Sequence, residues 1–156
     1  MRFVALIRGI NVGGNRLIRM ADLRSMFESA GATNVATYIQ SGNVVFAHES
    51  RAPGPLLAAA TKLDIMVRTP RELAAIVEGN PFPREAQHLH VLFLPSKAKV
   101  AVVATLPERY VQRGADLYVC LPGGAGSSKL AASLGKLGGT MRNWRTVNAL
   151  NDMSQA

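Results

Sequence analysis

The spacing of apolar and polar residues in the first half of the chain predicts a β-α-β-β-α-β order of elements. The elements are a strand over 2–7, a helix over 20–30, a hairpin of strands over 35–39 and 44–47, a helix through 56–63 after two prolines, and a strand over 64–68. The first strand is apolar almost throughout, which is typical of a strand buried on both faces. In the first helix, Leu23, Met26, Phe27 and Ala30 share one face. This order is that of a ferredoxin-like unit.

The second half of the chain repeats much of this order. Its predicted elements are a linking helix to about 78, a strand over 89–94, a short helix over 97–104, a hairpin over 109–112 and 117–121, a helix from 127 or 128 to 137, and a last helix from near 140. The string Thr69-Pro70-Arg71-Glu72 matches a capping box with proline at the first helical position. The order is therefore β-α-β-β-α, with a terminal helix where a last strand would stand.

These two patterns predict an α+β fold. A ferredoxin-like subdomain over 1–68 precedes a second, divergent ferredoxin-like subdomain over 69–156 that ends in a helix, and the two are expected to pack as one compact unit. The similar orders favour a divergent duplication, and the two halves share no clear repeat of sequence.

The predicted order brings two polar connections to the same end of the first sheet. In a β-α-β-β-α-β unit the first two strands run parallel, so the loop after each strand emerges at the same end. These connections are RGINVGGN (8–15) and QSGN (40–43), which are rich in glycine and asparagine. Two such connections at one end of a sheet favour a binding site there.

The net charge of +8 comes from two segments of the chain. Residues 1–19 hold four arginines and no acid, and residues 117–151 hold two lysines and two arginines and no acid. If folding brings these segments together, they form a positive face that attracts phosphates or nucleic acid. The alternative is a basic surface without a partner.

The standard nucleotide-binding motifs are absent. RGINVGGN reads GxxxGG and so fails the GxGxxG pattern, while Ser128-Lys129-Leu130 fails the end of the GxxxxGK[ST] pattern. Glycines in the first loop can bring backbone N–H groups close to an anion. Alternatively, they supply positive φ angles while the asparagines bond to the turn itself. No cofactor is predicted.

The C-terminal basic segment holds two further candidates. GAGSSK (124–129) combines a glycine-rich loop with a serine-capped helix, and Lys129 in the first turn opposes the helix dipole unless an anion is bound. Arg142 and Asn143 precede the only tryptophan, Trp144, and an arginine beside an aromatic ring can stack on a base. The ordinary alternatives are a surface lysine and a terminal helix that docks by its tryptophan.

Other catalytic patterns are weak. His88 and His90 share a strand face, but no third ligand stands at metal-binding spacing, so no metal site is predicted. Cys120 lies in an apolar strand and is predicted to be an inert buried thiol. The single cysteine and the lack of a signal peptide or a membrane-spanning stretch predict a soluble cytoplasmic protein.

Two strings resemble a known family. The stretch from Leu6 to Phe46 and the string SSKLAASLGKLGGTMRNWRTVNAL (127–150) are similar to the bacterial family called "domain of unknown function 1697". The family typically carries a double threonine before its RNW string, where this chain has Thr140-Met141. The resemblance implies a two-part α+β fold related to ferredoxin-like units, and it implies no established activity.

The leading hypothesis is a protein that binds a phosphate-bearing or other anionic ligand, such as a nucleotide or nucleic acid. The predicted ligand-binding residues are Arg8, Asn11, Gly13, Gly14, Asn15, Gln40, Ser41, Asn43, Lys129, Arg142 and Asn143. One alternative is a small-molecule enzyme in which Arg8, Lys129 or Arg142 stabilises developing negative charge. The other is a structural or protein-interaction module.

Overall fold

The computed structural model describes residues 1–11, 16–39 and 42–156. They form an α+β structure that divides into unit 1 (Met1–Ala74 and Leu150–Ala156) and unit 2 (Ala75–Ala149). The elements are β1 (Arg2–Arg8), α1 (Met20–Ser29), β2 (Thr33–Tyr38), β3 (Asn43–Ala47), α2 (Pro53–Thr61), β4 (Asp64–Arg68), α3 (Pro70–Glu78), a 3-10 turn (Ala86–His88), β5 (Leu89–Phe93), β6 (Arg109–Arg113), β7 (Asp116–Cys120), α4 (Lys129–Gly135), β8 (Thr140–Asn143) and α5 (Trp144–Gln155). The predicted order of elements in the first half is confirmed.

Unit 1 contains a four-stranded antiparallel sheet in the order β2-β3-β1-β4. The apolar run of β1 occupies a central position, as its composition predicted, and Val4, Ala5 and Leu6 are fully buried. Phe3, Ala5 and Ile7 belong to a core that includes Leu23 and Phe27 of α1. This core holds in place the C-terminal end of β1, where the loop RGINVGGN begins.

Unit 2 contains a second antiparallel sheet with the equivalent order β6-β7-β5-β8. Its last strand, β8, corrects the prediction that a terminal helix replaces it. Residues Thr140–Asn143 pair with β5, and α5 begins only at Trp144. The physical reason is that Thr140 and Arg142 alternate into the protein with the period of a strand.

The short helix predicted over 97–104 is also wrong, because residues 94–108 form neither helix nor strand. The alternate residues Val100, Val102 and Ala104 pack against the core of unit 2, which is the period of an extended chain. Side chains of β6 hold this segment in place. Gln112 Oε1 accepts a hydrogen bond from the Val100 N–H at 2.8 Å, and Tyr110 Oη donates to the Val102 carbonyl at 2.5 Å.

The two units also share a register and a helix cap. Val4 of β1 lies opposite Arg68, and Val91 of β5 lies opposite Arg142. The residue after each arginine caps the following helix. The predicted capping box is confirmed, since the Thr69 N–H donates to the Glu72 carboxylate at 2.9 Å and the Glu72 N–H donates to Thr69 Oγ1 at 3.1 Å.

Candidate functional site

Three connections of unit 1 meet at one end of its sheet. Because β1 runs antiparallel to both β3 and β4, its C-terminal end lies beside their starts, with Leu6 opposite Asn43 and Arg8 opposite Asp64. The loop after β1, the turn from β2 to β3 and the turn from α2 to β4 therefore share this end. We call it the unit 1 rim, comprising the described residues 8–11, 16–19, 39, 42–43 and 62–64.

The first two of these connections are in direct contact. The Ile7 N–H donates to the Gly42 carbonyl at 2.8 Å. A Cβ atom at Gly42 would lie 3.0 Å from the side chain of Ile10 and 3.1 Å from Cβ of Ile7, so only glycine fits without a shift. The expectation that RGINVGGN and QSGN are neighbours at one end of the sheet is confirmed for their described residues.

Two of the predicted ligand-binding asparagines stabilise these connections, each by bonding within its own connection. Asn11 Nδ2 donates to the Ile18 carbonyl at 2.9 Å, and Asn11 Oδ1 accepts from the Ile18 N–H at 2.8 Å. Asn43 is fully buried and donates through Nδ2 to the Tyr38 carbonyl at 3.0 Å. These contacts agree with the alternative stated above, in which the asparagines stabilise the turn by bonding to it. Their binding of a ligand stays a prediction.

Left-handed backbone conformations are concentrated at the unit 1 rim. The residues and their φ angles are Gly9 (71°), Asn11 (55°), Arg16 (42°), Ile39 (47°), Gly42 (85°) and Lys62 (61°). Asparagine tolerates this region, but for a β-branched residue such as Ile39 it is an outlier. Among the described residues, the one other non-glycine residue with positive φ is Asn34. Residues in such conformations cluster at ligand-binding sites.

The rim carries more positive than negative charge. Arg8 faces Asp64 at 3.6 Å, with 43% and 53% of the two side chains exposed. The acid that Arg8 pairs with therefore comes from another strand and not from its own basic segment. Arg19 pairs with Asp22 at 3.1 Å. Arg16 and Lys62 are exposed, and neither forms an ion pair with any acid in the described ranges.

Five of the predicted ligand-binding residues lie outside the described residues. They are Gly13, Gly14, Asn15, Gln40 and Ser41. Arg16, Lys62 and Ile39 were not singled out from the sequence as ligand-binding residues. A positive φ at a non-glycine residue leaves no reliable mark in a single sequence, and for Arg16 the position in a basic loop was the only signal.

The remaining three candidates belong to unit 2. Arg142 is buried and donates to Thr140 Oγ1 at 2.5 Å and to the Met141 carbonyl at 3.0 Å. Its burial lowers the pKa of the guanidinium to about 10. Asn143 Oδ1 accepts from the Thr146 N–H at 2.9 Å and so caps α5. These contacts give both side chains structural roles.

Lys129 is the candidate that faces open space in unit 2. It is exposed and lines a cleft of about 490 Å³ together with Glu108 and residues of the glycine-rich loop. We call this the Lys129 cleft. Ser128 caps α4 as predicted, accepting a hydrogen bond from the Ala131 N–H at 3.0 Å.

The described residues offer little other reactive chemistry. Cys120 is fully buried, and burial raises the pKa of its thiol, which disfavours the reactive thiolate. No group of three His, Cys, Asp or Glu side chains within the described ranges is placed to hold a metal ion. None of the helices in those ranges is long and apolar enough to span a bilayer.

The family described as "Protein of unknown function (DUF1697)" matches residues 1–116, and the chain belongs to that family. The C-terminal string 127–150 lies beyond the matched residues. A solved structure described as "conserved bacterial protein SP0830 from Streptococcus pneumoniae" is similar, with a TM-score of 0.77 and 22% identity over 99% of this chain and 98% of that one. At this identity the likeness shows the fold alone. No curated protein matches the chain.

Proposed function

We propose that the protein binds a small phosphate-bearing anion, of the size of a nucleotide, at the unit 1 rim. The observation that carries the proposal is the meeting of three connections whose backbone is left-handed at six residues, beside the exposed cations Arg16 and Lys62. A left-handed conformation costs about 1–2 kcal/mol at an ordinary L-residue. Arg16 and Ile39 bear that cost at one place, which favours a use for the conformation, whereas the left-handed Lys62 ends α2 and donates its N–H to the Ala58 carbonyl.

Phosphate is the chemistry that fits this arrangement. Backbone turns that alternate between right- and left-handed conformations direct successive N–H groups toward a common point, where an anion binds. The planar guanidinium of arginine adds two parallel hydrogen bonds to phosphate. Arg8 already pairs with Asp64, so we expect it to stabilise the rim more than it attracts the ligand.

The sequence-based proposal names residues in both units. Arg8, Asn11, Gly13, Gly14, Asn15, Gln40, Ser41 and Asn43 belong to unit 1, and Lys129, Arg142 and Asn143 belong to unit 2. Because Arg142 is buried and Asn143 caps a helix, we rest the proposal on unit 1. In the proposed site, Arg16 and Lys62 supply the positive charge that was predicted for Arg142.

The test is a calorimetric titration with adenosine monophosphate at about 50 mM and about 200 mM salt. We expect saturable binding that weakens at the higher salt, and an Arg16→Ala variant that binds about tenfold more weakly, since a hydrogen bond to a charged group contributes about 1.5 kcal/mol or more. Arg24→Ala is the matched control, because Arg24 is an exposed arginine on α1 outside the rim.

Three results would overturn the proposal. They are no binding at either salt concentration, equal weakening by Arg16→Ala and Arg24→Ala, and binding without salt dependence. A short single-stranded oligonucleotide is titrated in the same way for comparison. If it binds more tightly than the nucleotide and with a steeper salt dependence, the ligand is nucleic acid and not a small anion.

Three finer assignments are part of the same proposal. We infer that each unit is a ferredoxin-like unit, which the strand orders β2-β3-β1-β4 and β6-β7-β5-β8 support. The predicted boundary at residue 68 stays a prediction. The single buried cysteine supports a cytoplasmic location.

A further inference from the structure

We propose that the Lys129 cleft of unit 2 binds a small zwitterion of amino-acid or dipeptide size, independently of the unit 1 rim. The cleft has a volume of about 490 Å³, within the range of small-molecule sites. One wall is formed by residues 103–108, and the other by the glycine-rich loop and α4.

Both walls are held by hydrogen bonds. On the first, the Glu108 N–H donates to the Thr105 carbonyl at 3.1 Å, and Tyr110 Oη donates to the Val102 carbonyl at 2.5 Å. On the second, the Gly124 N–H donates to the Leu121 carbonyl at 3.0 Å. These hydrogen bonds hold the lining residues in place, which reduces the entropy lost on binding.

The two charges that line the cleft have opposite signs and no ion-pair partner among the described residues. Lys129 is exposed and Glu108 is half-buried. Neither forms an ion pair with the other or with any residue that the structure describes. A ligand with one net charge is attracted by one of these groups and repelled by the other. A zwitterion is attracted by both, with its acid group toward Lys129 and its ammonium toward Glu108.

The rest of the lining suits a short polar ligand with an apolar part. Thr105, Ser127 and Ser133 contribute hydroxyl groups, which both donate and accept hydrogen bonds. Val103 and Leu130 supply apolar surface, and Val103 is 86% exposed. An exposed valine of this kind gains from contact with an aliphatic side chain of the ligand.

The probe is the dipeptide alanyl-leucine, compared with two derivatives that each lack one charge. The N-acetyl derivative has no ammonium, and the C-terminal amide has no carboxylate. Titrations followed by nuclear magnetic resonance should show that the unmodified dipeptide binds at least about fivefold more tightly than either derivative. Equal binding of all three, or no binding of any, overturns the proposal.

Two charge variants assign each ligand group to its partner. Glu108→Gln should abolish the preference for the dipeptide over its N-acetyl derivative, and Lys129→Gln should abolish the preference over the amide. If Glu108→Gln instead strengthens binding of the dipeptide, the ligand is an anion and the zwitterion proposal is wrong. Lys136→Gln is the control, because Lys136 is an exposed lysine just after α4 and outside the cleft lining.

A substitution that fills the cleft with a larger side chain provides a further test. Gly123 lines it and Gly126 does not, both have ordinary φ angles, and a Cβ atom at either would meet open space. Gly123→Leu should therefore leave the melting temperature unchanged while removing dipeptide binding, and Gly126→Leu should leave both unchanged. Binding that survives in a folded Gly123→Leu variant places the ligand elsewhere. Nucleotide binding at the unit 1 rim should be unaffected by either change, which separates the two proposals.

Discussion

At the scale of single residues, Asn11 shows how the loop after β1 is stabilised. Its side chain bonds to both backbone groups of Ile18, at 2.8 and 2.9 Å, while its own backbone is left-handed. Asn11→Ala removes two hydrogen bonds of about 0.5–1.5 kcal/mol each and adds backbone strain. We expect a loss of about 2–3 kcal/mol in the free energy of unfolding, measured by urea denaturation.

Asn11→Gly separates the two causes. It also lacks the side-chain hydrogen bonds, but glycine adopts the left-handed backbone without strain. The glycine variant should therefore be more stable than the alanine variant by about 1 kcal/mol. Stability of Asn11→Ala equal to that of the unmodified protein would show that the contacts with Ile18 contribute nothing.

His90 predicts a pH dependence of stability. It lies half-buried on β5, and burial lowers its pKa below the usual 6.5, while a hydrogen bond to the His88 carbonyl acts in the opposite direction. Between its folded pKa and 6.5 the unfolded state binds more protons, so the free energy of unfolding falls as the pH drops through about 6.5. His90→Gln should reduce this fall in urea titrations at several pH values. An unchanged pH slope in the variant would contradict it.

The sequence predicted residue roles only where a role depends on near neighbours. Thr69 and Glu72 lie three positions apart, so their reciprocal capping was visible. The partner of Arg8 is Asp64, which stands on another strand and comes beside it only when the sheet forms. Asn43 could be read as a ligand-binding residue or a turn residue, and the sequence had no means to show that it is fully buried.

At the scale of elements, the contact between two connections depends on Gly42. Gly42→Ala introduces both a strained φ of +85° and a Cβ atom 3.0 Å from Ile10. Gly9→Ala introduces strain alone, because its φ is +71° but no atom lies within 4 Å of the added Cβ. We expect losses of about 2–4 kcal/mol and about 1 kcal/mol in the free energy of unfolding. Equal losses would mean that packing against Ile10 has no part in stability.

The cap of α5 predicts that Asn143 acts on stability and not on ligand binding. Asn143→Ala removes the hydrogen bond from the Thr146 N–H and should lower the free energy of unfolding by about 1 kcal/mol. Asn143→Asp keeps an acceptor and should retain most of that stability. Reduced nucleotide affinity at unchanged stability in the alanine variant would show that the role predicted from the sequence is correct.

Element prediction succeeded where one period dominated. The continuous apolar run of β1 and the helical face of α1 were both recognised. The pattern over 97–104 was interpreted as a helix, although Val100, Val102 and Ala104 alternate with the period of an extended chain. Strand β8 has four residues, too few for its alternation to stand out from the helix that follows.

At the scale of the whole molecule, the family and the α+β class followed from the sequence, and the predicted boundary at residue 68 stays a prediction. Residues Leu150–Ala156 belong to unit 1, where Arg2 donates to the Met153 carbonyl at 3.0 Å. Contacts between residues so far apart along the chain leave no local pattern. Arg16 lies in a segment whose positive charge is visible in the sequence, but Lys62 lies at the same rim only because α2 ends beside the same end of β1.

Amide chemical shifts recorded during a titration with adenosine monophosphate test whether the unit 1 rim binds a phosphate-bearing anion. We expect saturable shifts at Gly9, Asn11, Arg16, Gly42 and Lys62, no shifts in the Lys129 cleft, and about tenfold more nucleotide needed for the same shifts in Arg16→Ala. Shifts confined to unit 2, shifts spread evenly over basic surface residues, or no shifts at saturating nucleotide would contradict it.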